Sequence, residues 1–144
     1  MTSETDARLI TQSLERAAVL CDDLTPLVYR RLFDAHPDML ALFVRDTDGS
    51  VKGEMLARVI EAILDFIDAR AYASHLIQCE VVTHEGYGVP PAVFGVFFAT
   101  VAGTIAELIG PDWTPAADGA WRALLAELDL YVTHPDQSTA AQVA

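Results

Sequence analysis

The sequence has 144 residues, of which 52% are hydrophobic and 21% charged, a length that suits one compact domain with a continuous core. So apolar a chain offsets its ordering entropy, which excludes disorder over most of it. Its 21 acidic and 9 basic residues leave a formal charge of −12 and no basic cluster, so nucleic acid and anionic membrane surfaces make poor partners.

Met1 to Asp6 is acidic and polar, unlike a secretory signal. Ser3 with Asp6 reads as the cap of a first helix, whose apolar face is Leu9, Ile10, Leu14, Ala17 and Ala18 and which ends near Cys21. Thr25-Pro26 reads as a cap and first-turn proline opening a second helix through Val28, Leu32 and Phe33, which His36-Pro37 stops. A short helical turn spans Asp38 to Phe43, and Val44 to Ser50 is a loop by composition. From Val51 to about Ile67, Leu56, Val59, Ile60, Ile63, Leu64 and Ile67 share one face of a long amphipathic helix.

A weaker helix follows through Tyr72, Leu76, Ile77, Val81 and Val82 and ends at His84, before the glycine-containing corner Glu85 to Pro90. The most apolar helix runs from Pro91 to Ile109 and is stopped by Gly110-Pro111. Gly86 to Ala106 carries no charge over 21 residues, long enough to span a bilayer. Pro90-Pro91 interrupt it and no basic residue orients it, so a helix buried on all sides of a core fits better. Thr114-Pro115 caps the last helix, with Trp121, Leu124, Leu125, Leu128 and Val132 on its apolar face, and His134-Pro135 closes it. Seven helical segments without a strand make an all-α domain over residues 1–134, with 135–144 a frayed tail. Cys21 and Cys79 share no metal or redox spacing and read as buried free thiols.

No Ser-His-Asp order, phosphate loop or zinc spacing is present, and Asp34 and Asp38 beside His36-Pro37 read as solvated. The informative histidine is His84. Alone, a histidine at a helix end is more often a cap for the final carbonyls than a metal ligand.

In company it reads differently. Tyr29 to Phe43, running Tyr-Arg-Arg-Leu-Phe-Asp-Ala-His-Pro-Asp-Met-Leu-Ala-Leu-Phe, resembles the second and third helices of bacterial single-domain globins and of the haem domain of flavohaemoglobins. His84-Glu85-Gly86-Tyr87-Gly88-Val89-Pro90 followed by Phe94 resembles their proximal corner, and Ala120-Trp121 a dipeptide of their last helix. The resemblance covers roughly residues 5 to 133 and implies a globin fold of about seven helices sandwiching a b-type haem. It further implies His84 as the axial ligand, with its other ring nitrogen donating near Glu80. Phe43 would stack on the porphyrin, Val89 and Phe94 would line the proximal side, and Tyr29 would face the distal pocket. Counting back from His84 puts Leu56 over the iron and Lys52 at the distal gate.

The sequence departs from that pattern in three places. Lys52 stands where the family usually carries glutamine or histidine; it could donate to bound oxygen, pair with a propionate or point to solvent, or ligate the iron itself. A shift of one turn would put Met55 at the gate instead. Phe94 and Asp136 align with the tyrosine and glutamate that flavohaemoglobins set behind the proximal histidine, which implies a weak push on bound peroxide. With no flavin or nicotinamide domain following, turnover is expected to need a separate reductase. The implied function is reversible binding of a diatomic gas such as oxygen, nitric oxide or carbon monoxide, extending at most to nitric oxide dioxygenation. A haem-based sensor and a haem-free interaction module are the alternatives. A cytoplasmic location is expected, and a homodimer is compatible with the family.

Overall fold

The computed structural model describes residues 2–68, 73–86, 89 and 92–133, and among these there is no strand. Six α-helices follow one another: α1 Glu4–Leu20, α2 Thr25–Ala35, α3 Ser50–Ile67, α4 Ala73–Gly86, α5 Ala92–Ile109 and α6 Pro115–Thr133. The short segment after His36 is wound as a 3-10 helix, Pro37–Phe43, and a further 3-10 turn, Gly110–Asp112, follows α5. The all-α architecture expected from periodicity is the one observed. The expected tail beyond 134 lies outside the described residues.

Local chemistry sets most of the boundaries. Ser3 accepts the Asp6 amide at 3.0 Å, and Thr114 accepts that of Ala117 at 3.0 Å, each satisfying a first-turn donor. The start of α2 differs from expectation. Leu24 already has helical dihedrals, so Thr25 lies inside the helix, and Asp23 accepts the Thr25 amide at 3.0 Å. Hydrogen bonds from the Thr25 side chain and amide hold the Asp23 carboxyl below its usual range. Gly110 takes a left-handed φ of 65°, which turns the chain out of α5.

The core gathers Ile10 of α1, Leu32 of α2, Phe66 of α3, Val101 and Ile105 of α5, and Trp121 and Leu124 of α6. Each such side chain contributes about 1.5–3 kcal/mol through its removal from water. Helix α5 packs on α1, α2 and α6, burying Phe97, Phe98, Val101, Ala102 and Ile105. Its buried Thr100 and Thr104 donate to carbonyls one turn back, at 2.7 and 2.8 Å. By length and composition α5 could cross a membrane, and 39% of that apolar window is buried, with α1, α2 and α6 packed on the helix. It is not enclosed on all sides, since Ala99 and Glu107 reach solvent.

Other positions depart from the periodic reading. Ala18, Leu64 and Val82 are exposed, whereas Ser13 is buried with its hydroxyl donated to the Leu9 carbonyl at 2.7 Å. Both cysteines are free but neither is buried: Cys21 is half-exposed and Cys79 exposed. Ile77 and Val81 turn the buried side of α4 inward, and residue 79 lies about half a turn away from that stripe.

Candidate functional site

Helices α3, α4 and α5 and the 3-10 segment converge on a cavity of about 350 Å³. Met39 and Phe43 supply one wall, Val51, Met55 and Val59 of α3 a second, and Val93, Phe94 and Phe97 of α5 a third. Val89 also lines it, and the polar groups at its edge are His84, Arg45 and Asp46. A smaller space of about 80 Å³ continues past His84 and Phe94 towards Leu76 and Ile77.

His84 lies two residues before the end of α4 rather than at its last residue. Its Nδ1 stands 2.8 Å from the Glu80 carbonyl oxygen and 3.5 Å from the Glu80 carboxylate. A carbonyl only accepts, so Nδ1 donates to it, and Nε2 is the ring nitrogen not engaged by Glu80. The ring meets Phe94 edge-on, with centroids 5.1 Å apart and planes at 87°. The His84 carbonyl accepts the Val89 amide at 2.9 Å, which closes the corner. Tyr87, Gly88 and Pro90 of that corner lie outside the described residues.

Tyr29, Lys52 and Leu56 stand behind the cavity wall and do not line it. Buried Tyr29 packs its ring against Phe33, Phe43 and Phe97, at 5.8, 5.3 and 5.6 Å, and its hydroxyl donates to the Lys52 carbonyl at 3.1 Å. Burial, reinforced by the negative charge of Asp46, pushes its ionisation well above the usual phenol range, so the donor stays protonated. Leu56 is a core residue. The stripe of α3 that reaches the cavity is Val51, Met55 and Val59, and one step along a helix turns by about 100°, which carries Lys52 and Leu56 off that face. Met55, the alternative occupant of the gate, is in the lining.

The first turn of α3 is held by the loop before it. Asp46 accepts the Val51 amide at 3.1 Å and the Lys52 amide at 3.0 Å, while Asp48 accepts the Ser50 amide at 3.0 Å. The Lys52 ammonium lies 3.5 Å from Asp46 Oδ2 and 5.8 Å from the centre of the Phe43 ring. Removal from water raises the Asp46 pKa, but the two backbone donors and Lys52 outweigh it and hold the carboxyl below its usual range.

Two surface clefts are larger, at about 480 and 730 Å³. The first is lined almost wholly by apolar residues of α5 and α6, and the second carries Arg30, Arg31, Asp34 and Glu107. Neither brings an imidazole to an enclosed apolar wall, so chemistry rather than volume selects the cavity at His84. Residues 27–129 match the family described as Globin. The chain belongs to the globin family. The match runs from α2 into α6 and includes every element that lines the cavity. Globins bind haem and, through it, diatomic gases. No curated protein matches the chain.

Within this globin, the residue that sequence reasoning passed over is Asp46. A signal was present: Asp46-Thr47-Asp48-Gly49-Ser50 ahead of an apolar-periodic segment is rich in helix-capping types. Composition assigns the stretch to a loop, which is true of its backbone and silent about where its carboxylates turn.

Proposed function

We propose that this globin holds a five-coordinate b-type haem in the cavity at His84 and binds a diatomic gas reversibly. The observation that carries the reading is His84 itself: an imidazole whose Nδ1 is engaged by the Glu80 carbonyl, at the edge of an apolar cavity. The donor set fits the group, since one imidazole nitrogen not engaged by Glu80, apolar walls from Phe43, Val89, Val93 and Phe94, and Arg45 in the lining suit a porphyrin with carboxylate side chains. Haem supplies the iron that takes the gas. The chain's own part is to orient His84 through Glu80, to exclude water with Phe43, Met55, Val59 and Phe97, and to keep Tyr29 and Lys52 as the polar groups behind the opposite wall. Leu56 supports that wall from the core.

The chain is further assigned to the type of bacterial single-domain globins and flavohaemoglobin haem domains, with residues 1–134 forming the domain, and is placed in the cytoplasm. Phe94 offers His84 a ring edge where a hydroxyl would be needed to strengthen the ligand, which favours gas binding over peroxide cleavage. Nitric oxide dioxygenation with a separate reductase is the activity to which this binding extends. The test is His84→Ala. The variant is expected to stay helical by circular dichroism and to lose stoichiometric haem on desalting. Full retention with an unchanged absorption spectrum would overturn the assignment.

A further inference from the structure

Lys52 is the only lysine in the sequence, and it lies on the first turn of the helix that walls the cavity. Helix register turns it off the cavity face, and its ammonium is held from outside α3. The Asp46 side chain is 3% exposed and that of Lys52 22%, so their 3.5 Å contact is sheltered on both sides. The same carboxylate binds the Lys52 amide and the Val51 amide, so backbone and ammonium of one residue converge on one group. The Phe43 ring lies beneath the ammonium, and the Tyr29 hydroxyl engages the Lys52 carbonyl. Val51 and Met55, not Lys52, reach the cavity. A flexible cationic stem four carbons long, released from its partner, could reach over that wall.

We propose that Asp46 is a positioning residue: it clamps the Lys52 ammonium behind the α3 wall of the cavity, so that Val51, Met55 and Val59 keep that wall apolar. Helix register sets which positions of α3 face the cavity, and Asp46 keeps the flexible Lys52 ammonium from reaching over them. The clamp stands on its own contacts; only its consequence for a bound gas rests on the haem reading given above.

The test compares the full-length protein with Asp46→Asn, Asp46→Glu and the double variant Asp46→Asn with Lys52→Met. Asparagine keeps one acceptor oxygen for the first turn of α3 and loses the charge and the second acceptor, and an unchanged circular dichroism spectrum is expected to show that the fold holds. With a single lysine, acylation by a water-soluble active ester followed by peptide mapping reads Lys52 alone, apart from the N-terminal amine. Asp46→Asn should raise its acylation rate about fivefold, the equivalent of losing one modest ion pair, and Asp46→Glu should restore slow labelling. In the haem-loaded protein, the stretching frequency of carbon monoxide reads the charge near the gas. Asp46→Asn should lower it as the freed ammonium approaches, and adding Lys52→Met should return it to the wild-type value. Unchanged acylation in Asp46→Asn would overturn the clamp. Faster acylation with a frequency identical in all variants would overturn the consequence for the pocket and leave haem binding untouched. Failure to take up haem would instead sink the proposed function, with the acylation rates still deciding the clamp.

Discussion

Tyr29 shows how one buried hydroxyl ties distant parts of the chain together. Its proton goes to the Lys52 carbonyl, 23 residues away, and its ring is wedged among Phe33, Phe43 and Phe97. Because the folded pKa is raised above the unfolded value near 10, the stability the phenol contributes is complete below pH 10. Above that pH the unfolded chain ionises while the folded one resists, so stability declines as pH rises. Urea titrations from pH 9 to 11.5 should show a steeper fall in wild type than in Tyr29→Phe; parallel curves would contradict the shift. Tyr29 stands behind the cavity wall, so to serve the proposed gas site its hydroxyl would have to exchange the Lys52 carbonyl for the gas, a trade of one hydrogen bond worth about 1 kcal/mol. Tyr29→Phe should therefore speed oxygen dissociation by about fivefold to tenfold in stopped flow, and an unchanged rate would remove Tyr29 from the gas site.

Among the elements, two glycines make opposite predictions. A Cβ at Gly103 would lie 2.9 Å from Arg31 Nε, but that is the far end of a flexible side chain whose partner, Glu107, is exposed. Alanine brings up to about 1 kcal/mol of helix propensity against a surface pair of about 0.2–1 kcal/mol. Gly103→Ala should leave the melting temperature unchanged or slightly raised. Gly49, at φ 77° ahead of α3, has open space around it, yet alanine there is strained by about 1–2 kcal/mol, so Gly49→Ala should lower the melting temperature by several degrees. Equal effects at both positions would mean that backbone conformation does not separate them. The same elements show what a sequence discloses. Helix ends marked by Ser3, Thr114 and Gly110 were legible because cap and helix are neighbours in the chain. The start of α2 is displaced by one residue from the sequence reading, because Asp23 and Thr25 are both capping types. The site was legible at His84, Phe43 and Phe94 through motif resemblance. On α3 it was not, because stripes 51-55-59 and 52-56 differ by one residue step, which only the geometry of the preceding loop resolves. Asp46 was invisible for the same reason: its carboxylate acts five and six residues ahead.

Across the whole molecule, a charge of −12 on 144 residues sets the background for every local pair. Self-repulsion of that size opposes the compact state, and raising salt from 0.01 to 0.15 M shortens its reach from about 30 to about 8 Å. The melting temperature should therefore rise over that range in scanning fluorimetry. A fall would mean that attractive contacts such as Arg122–Asp118 and Lys52–Asp46 outweigh the net charge.

The placement of α5 has a consequence for how the protein is made. Of the three helices that cover it, α1 and α2 precede it in the chain and α6 follows. As the ribosome delivers this segment, two of its partners are already waiting and the third is still to be translated. At about 5–20 residues per second, a hydrophobic stretch that passes for a membrane span stays half-sheltered for on the order of seconds. During that interval α1 and α2 alone compete with the cell's insertion machinery and chaperones for α5. Order of synthesis, besides final packing, therefore bears on how long the apolar face of α5 stays uncovered.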